Sequence, residues 1–198
     1  MIALALFLGI LYSEFVGYFI HKLLHSEHIP ALSRDHMIHH LKQYGPKMSM
    51  RSDEYYISAN ERFNIGNVGL EWLVPLGIVI AASIGLMTLL SVSWIYQAAM
   101  LGSAIAWGIF IFNFLHAGLH LSNYWLLKNR YLSRWFKNAR RLHDIHHTRI
   151  SDEGRMNVNF GIVFFFFDRI FGTKVDTVGR FNEAGYEKAK ERYKNIIT

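Results

Sequence analysis

Residues 72–115 contain no charged side chain, an uninterrupted run of 44 residues from Trp72 to Leu115. A helix needs about 20 apolar residues to cross the hydrocarbon core of a bilayer. The run is therefore read as a helical hairpin, out over 70–90 and back over 94–115, with its turn at Ser91–Ser93. The alternative is a pair of buried helices in a soluble domain, and so long an apolar run is rare in a small soluble domain. Residues 1–20 form a third apolar stretch, broken only by Glu14. They lack the basic start of a secretory signal and a small-residue cleavage site after the apolar core, so they are read as a span that stays. A carboxylate at that depth faces the bundle interior or water. Glu14 precedes His21 by seven residues and projects from about the same helix face. It is either a partner of the histidines or simply paired with a polar neighbour.

Orientation follows from the basic residues. Lys22, Arg34, Lys42, Lys47, Arg51 and Arg62 lie between the first span and the hairpin, and the other fifteen of the 21 follow His116. All fall on one side if the N-terminus is non-cytoplasmic, which puts the C-terminus in the cytoplasm. Two further segments are read as interfacial or buried. Residues 124–142 mix Trp125, Tyr131, Trp135 and Phe136 with six basic residues, as a helix at headgroup level would. Their place between histidine clusters argues against nucleic acid as a partner. Residues 160–167 are too few to span and are read as re-entrant or buried. The membrane domain is taken as 1–180. Residues 181–198 are taken as a polar helical tail, read from Asn182 to Thr198 as an exposed helix with no chemistry.

Of eleven histidines, ten fall into four clusters: His21 and His25; His36, His39 and His40; His116 and His120; His143, His146 and His147. Positions i, i+3 and i+4 share a helix face, so each cluster aims its imidazoles one way. A pair follows a span and a triple comes later, twice over, so all four clusters end at one membrane face. His28 is left as a loop residue. Imidazole suits iron, zinc and copper, and ten ligands shared by two octahedral metals allow about five each. The 52% hydrophobic and 18% charged composition excludes a disordered chain. The absence of cysteine excludes disulfides, iron–sulfur clusters, thiolate zinc sites and cysteine nucleophiles. Carboxylate-bridged di-iron motifs, the His-Glu-x-x-His protease motif, serine-hydrolase elbows and phosphate loops are also missing.

The four boxes, and the run Asn159, Gly161, Asp168, Arg169, Phe171, Gly172 and Thr173 that follows them, resemble the membrane fatty acid hydroxylase/sterol desaturase superfamily over about residues 10–175. The resemblance implies an all-α integral membrane protein of three to four transmembrane helices with a cytoplasmic-face, histidine-rich helical cap. It implies that the ten clustered histidines hold two iron ions, with zinc a substitute in isolated protein. The implied reaction is oxygen-dependent attack on an unactivated C–H bond of a membrane lipid, giving an alcohol or a double bond. Substrate would reach the centre laterally. Electrons would come from a separate ferredoxin, haem carrier or reductase, because the chain has no electron-transfer domain. Asp144, Asn159, Asp168 and Glu14 are the candidates to orient the imidazoles. For Asp168 an ion pair with Arg169 or another basic neighbour is slightly favoured. Desaturases and carotenoid hydroxylases share such boxes. A metal transporter fits less well, since transporters place ligands near the midplane. A haem bundle fits less well too, since a bis-histidine haem needs a single pair.

Overall fold

The computed structural model describes residues 1–56, 64–65 and 68–197. Arg62, counted above among the basic residues, lies outside them. Among the described residues, three helices are long and apolar enough to cross a membrane: α1 (Ile2–Leu24), α3 (Leu70–Leu89) and the helix running from Trp94 to His120. The last comprises α4 (Trp94–Phe110), a π-helical stretch (Ile111–His116) and a final turn, α5 (Ala117–His120). The hairpin turn falls where expected. Ser91 takes a left-handed φ of 56° there, its N–H bonds Thr88 O at 3.0 Å, and Val92 N–H bonds Met87 O at 2.9 Å. Aliphatic side chains such as Ile78, Leu86, Leu89 and Ile109 stay on the outside of the spans. That is what a hydrocarbon solvent permits.

The spans pack unevenly. A Cβ on Gly9 of α1 would collide with Met100 O and Ser103 Oγ of α4. The missing side chain is what lets these backbones meet, as small residues do between membrane helices. The C-terminal ends of α1 and α5 and the first turn of α3 then lie together, and the histidine-bearing segments collect there. α2 (Pro30–Ile38) continues into a second π-helical stretch, His39–Gln43. β1 (Asn64–Ile65) pairs antiparallel with β2 (Val68–Gly69) just before α3. Ser52 is bound from both sides of the α5 terminus, by His120 O at 3.0 Å and by Ser122 N–H at 2.8 Å.

Two expectations are corrected here. Residues 124–142 do not form one helix. A 3-10 turn at Trp125–Leu127 precedes α6 (Ser133–Thr148), because Asn129 Oδ1 accepts the N–H groups of Tyr131 and Leu132, each at 3.0 Å. α6 therefore starts later and runs on through the fourth histidine cluster. The C-terminal helix α8 (Glu183–Ile197) is not an exposed tail. Tyr186, Ala189, Tyr193, Ile196 and Ile197 form an apolar stripe buried against Met37, Leu41, Ile150 and Met156. The spacing of that stripe is helical, and the charges around it mask it in a composition reading. Tyr193 OH also donates to His25 O at 2.7 Å, tying α8 to the end of α1. α7 (Phe166–Ile170) closes the segment that follows the last histidines.

Gly9→Leu is expected to lower stability by about 1–3 kcal/mol through overpacking of the α1–α4 crossing. Gly102→Leu, where an added Cβ meets nothing within 4 Å, is expected to be neutral. Thermal unfolding of both variants in detergent reads the difference.

Candidate metal centre

The ten clustered histidines are brought into one region, none more than 9% exposed. Their ring nitrogens form two groups. His21, His25, His36, His40 and His146 form one, and His39, His120, His143 and His147 the other, with ligand atoms in each group within 4.8 Å of one another. His116 stands beside the second group. Its ring lies 5.2 Å from those of His39 and His120 and 5.0 Å from that of His143.

The triples are divided between the groups, which the shared-face reading did not anticipate. On a helix of 3.6 residues per turn, i+4 lies about 40° to one side of i and i+3 about 60° to the other. His36 and His40 therefore look into the first group while His39 looks into the second. In α6 the sense is reversed: His143 and His147 enter the second group and His146 the first. Each group thus takes the i and i+4 members of one triple and the i+3 member of the other; the first adds both histidines of a span-end pair, His21 and His25, and the second adds His120. The π-helical turns carry three of these residues, His39, His40 and His116. Such turns shift the register of a helix locally and are frequent at functional sites.

Backbone carbonyls orient the rings. His21 Nδ1 bonds Phe160 O at 2.5 Å, His146 Nδ1 bonds Val158 O at 2.7 Å, His147 Nδ1 bonds Tyr44 O at 3.0 Å and His120 Nδ1 bonds Met50 O at 3.4 Å. Since a carbonyl only accepts, each Nδ1 carries the proton and each Nε2 offers a lone pair inward. The inward nitrogens crowd together. His25 Nε2 lies 3.2 Å from His146 Nε2 and 3.0 Å from His36 Nε2, and His143 Nε2 lies 3.0 Å from His120 Nε2 and 3.1 Å from His147 Nε2. His21 Nε2, His39 Nε2 and both ring nitrogens of His40 are buried without a hydrogen-bond partner. Desolvation holds His146 down to about 4, and holds His25, His36, His39, His40, His143 and His147 well below the usual imidazole range, where neighbouring imidazoles depress them further. Protons therefore do not relieve the crowding. A donor set of neutral nitrogens aimed at common points fits a pair of divalent metal ions.

The remaining predicted residues fall differently. Asp144 does not reach a histidine. It takes both oxygens to Arg51 Nη2, at 2.8 and 2.6 Å, because it sits on the half-exposed side of α6. Burial raises its pKa and the Arg51 bond opposes the rise. Asp168 is not paired with Arg169. It is fully buried and accepts from Phe160 N–H and Gly161 N–H, both at 2.6 Å, and from Thr173 Oγ1 at 2.7 Å. Burial raises its pKa and those three donors oppose the rise. Asn159, at a left-handed φ of 54°, donates to Leu142 O and Val175 O at 3.0 and 2.9 Å and accepts from Val175 N–H at 2.7 Å. These two side chains hold the turn whose carbonyls, Val158 O and Phe160 O, receive His146 and His21. A Cβ on Gly161 would strike Phe164 O and Asp168 Oδ2. Glu14 accepts from the Trp107 indole N–H at 2.6 Å and so pairs with α4. His28 sits in the exposed turn between α1 and α2.

A model of the family described as fatty acid hydroxylase matches residues 6–173. The chain belongs to that family. No curated protein and no solved structure gives a significant match. The matched region ends at Thr173, so α8 lies beyond it.

Several residues at this fatty acid hydroxylase centre were not singled out in the sequence. Tyr44 is fully buried, stacks on His120 with ring centroids 4.0 Å apart and supplies the carbonyl for His147. Its spacing of four from His40 was the available signal. Tyr55 OH lies 3.3 Å from His116 Nδ1. Tyr55, Glu71, Trp72 and Phe112 line a small pocket with His21, His36, His39 and His116.

Asp168→Asn is expected to weaken metal binding about 10- to 100-fold by loosening the carbonyl turn. Asp144→Asn is expected to leave it within about twofold. Metal titration of the stripped protein separates the two. The same apo-protein should lose stability as pH falls. His146 titrates at about 4 when folded against 6.5 ordinarily, so between those values the unfolded chain binds more protons. Unfolding midpoints at pH 7, 6 and 5 should fall in that order.

Proposed function

We propose that the chain is a membrane di-iron oxygenase that hydroxylates an unactivated C–H bond of a lipid. The observation that carries this reading is the division of the buried histidines into two groups whose ring nitrogens converge. The family match supports it. Two iron ions held there supply oxygen activation and removal of the C–H hydrogen. One oxygen atom of O2 enters the product as the hydroxyl. The other leaves as water, with two electrons from a separate donor protein and two protons.

The side chains do the rest. His21, His25, His36, His40 and His146 hold one ion. His39, His120, His143 and His147 hold the other, with His116 beside them. The carbonyls of Val158, Phe160, Tyr44 and Met50 keep four of these rings in the ligating tautomer. Burial excludes water from the oxidising site. With the N-terminus outside, the centre faces the cytoplasm and the electron donor. The donor is a ferredoxin, a haem carrier or a reductase.

The test is elemental analysis of detergent-purified protein beside His146→Ala, followed by lipid mass spectrometry of expressing cells. About two iron or substituting zinc ions per chain are expected, with loss of metal in the variant. A lipid one oxygen atom heavier is expected with the wild type alone. A product lighter by two hydrogens instead assigns a desaturase. A folded protein that binds no metal overturns the oxygenase reading.

A further inference from the structure

Outside the histidine centre, α6 and the segment leading into α7 form an open pocket of about 310 Å³, and none of the clustered histidines lines it. One wall is a single face of α6: Trp135, Asn138, Ala139 and Leu142 stand at i, i+3, i+4 and i+7. The facing wall is residues 163–166. Ala139, Leu142, Val163 and Phe165 are buried and make an apolar floor. Such a floor takes hydrocarbon.

The rim is made of donors: Asn138, Arg169 and Lys174. Asp168, the acid next to Arg169 in the chain, turns its oxygens to its own turn. Arg169 is exposed, and among the described residues its guanidinium has no hydrogen-bond or ion-pair partner. Arg141 Nη2 donates to Asn138 Oδ1 at 2.9 Å, which leaves the Asn138 N–H2 group to donate elsewhere. Lys174 is held by both oxygens of Asp176, at 2.7 and 2.6 Å, and its charge is offset there. The charge open to a ligand is therefore that of Arg169, whose planar fork matches two oxygens of one anionic group.

The pocket also reaches the spans. The Phe164 ring lies 5.3 Å from Trp135 of α6 and 5.9 Å from Trp107 of α4, and the Phe167 ring lies 5.4 Å from Phe15 of α1. On α7, Phe166 and Ile170 stand at i and i+4 and are 60% and 56% exposed, a face suited to hydrocarbon. Arg169 beside them then sits at headgroup level, as cations do on a helix lying in the interface. A soluble anion would use the rim and leave the floor empty; an anionic amphiphile uses both. We infer that the pocket binds an anionic membrane lipid, the phosphate of its head on Arg169 and Asn138 and the start of an acyl chain against Trp135, Phe164 and Leu142. The site is separate from the reaction proposed above. It seats a boundary lipid against the segment that carries Val158 O and Phe160 O.

The test is photolabelling of metal-loaded protein in phosphatidylcholine nanodiscs, with phosphatidylglycerol carrying a diazirine near the start of one acyl chain. Peptide mass spectrometry should find label in residues 135–142 and 163–166, displaced by unmodified phosphatidylglycerol and not by added phosphatidylcholine. Arg169→Gln should cut that label about fivefold, the worth of one charge at a membrane surface. Arg169→Lys should hold it within about twofold, since the charge is kept. Asn138→Asp, which sets a carboxylate at the rim, should cut it as far as Arg169→Gln does, and Arg180→Gln, outside the pocket, should leave it. Metal content should be unchanged throughout; if Arg169→Gln loses metal, Asn138→Asp alone is read. Equal displacement by phosphatidylcholine, or label unchanged in both Arg169→Gln and Asn138→Asp, overturns the headgroup site. Displacement by glycerol phosphate alone shows a site for soluble anions and overturns the lipid. A soluble ferredoxin whose binding is lost in Arg169→Gln while the label persists makes the rim a protein-docking surface and likewise overturns it.

Discussion

The structure depends on one constraint: nine buried imidazoles aim ring nitrogens at two common centres. Nε2 atoms of neighbouring rings lie 3.0–3.2 Å apart. In water the rings would protonate or separate. Here burial opposes the charge, and the helices that carry the rings oppose the separation. Under the proposed function, cations bound at the two groups would relieve this crowding, and metal binding would then be coupled to folding. The packing around the centre serves this requirement. α8 covers α2 and bonds the end of α1, and the 158–175 turn presses its carbonyls onto rings from two different helices.

That turn explains the run of residues after the last histidine cluster. Asp168 turns both carboxylate oxygens toward its own chain. It gathers two backbone N–H groups and a threonine hydroxyl, and so fixes the direction of Phe160 O. Asn159 adopts a backbone conformation unfavourable for most residues and clamps both strands of the turn. A carbonyl is a good acceptor for a ligand imidazole because it adds no charge to a site that must receive cations. Asp144, a carboxylate close by in sequence, is instead kept outside by Arg51.

The position of the centre at the end of the spans joins two solvents. On one side lie polar loops and a basic surface. On the other, behind Trp72 and Phe112, lies an apolar cavity between α1, α3 and α4.

Spans, hairpin turn and the clustered histidines were legible in the sequence because each depends on local chemistry: hydropathy over twenty residues, or a run of one residue type. The convergence of the clusters at one end of the spans was legible from helical period and the order of the spans. The sorting of His39 and His146 into the groups opposite their neighbours was not, since it depends on where two other helices end. The roles of Asp168 and Asp144 were not legible either. Both are carboxylates near basic residues in the chain, and only burial distinguishes the one that collects backbone donors from the one that pairs with arginine. The buried stripe of α8 is helically spaced, yet α2, which covers it, is more than 140 residues away in the chain. The amino-acid sequence by itself determined a helical membrane protein with ten metal-competent histidines. The tertiary structure decided the division of nine of them into two groups, the carbonyls that orient four of them and the apolar cavity beside them, because each of these is made by segments that meet only when the chain is folded.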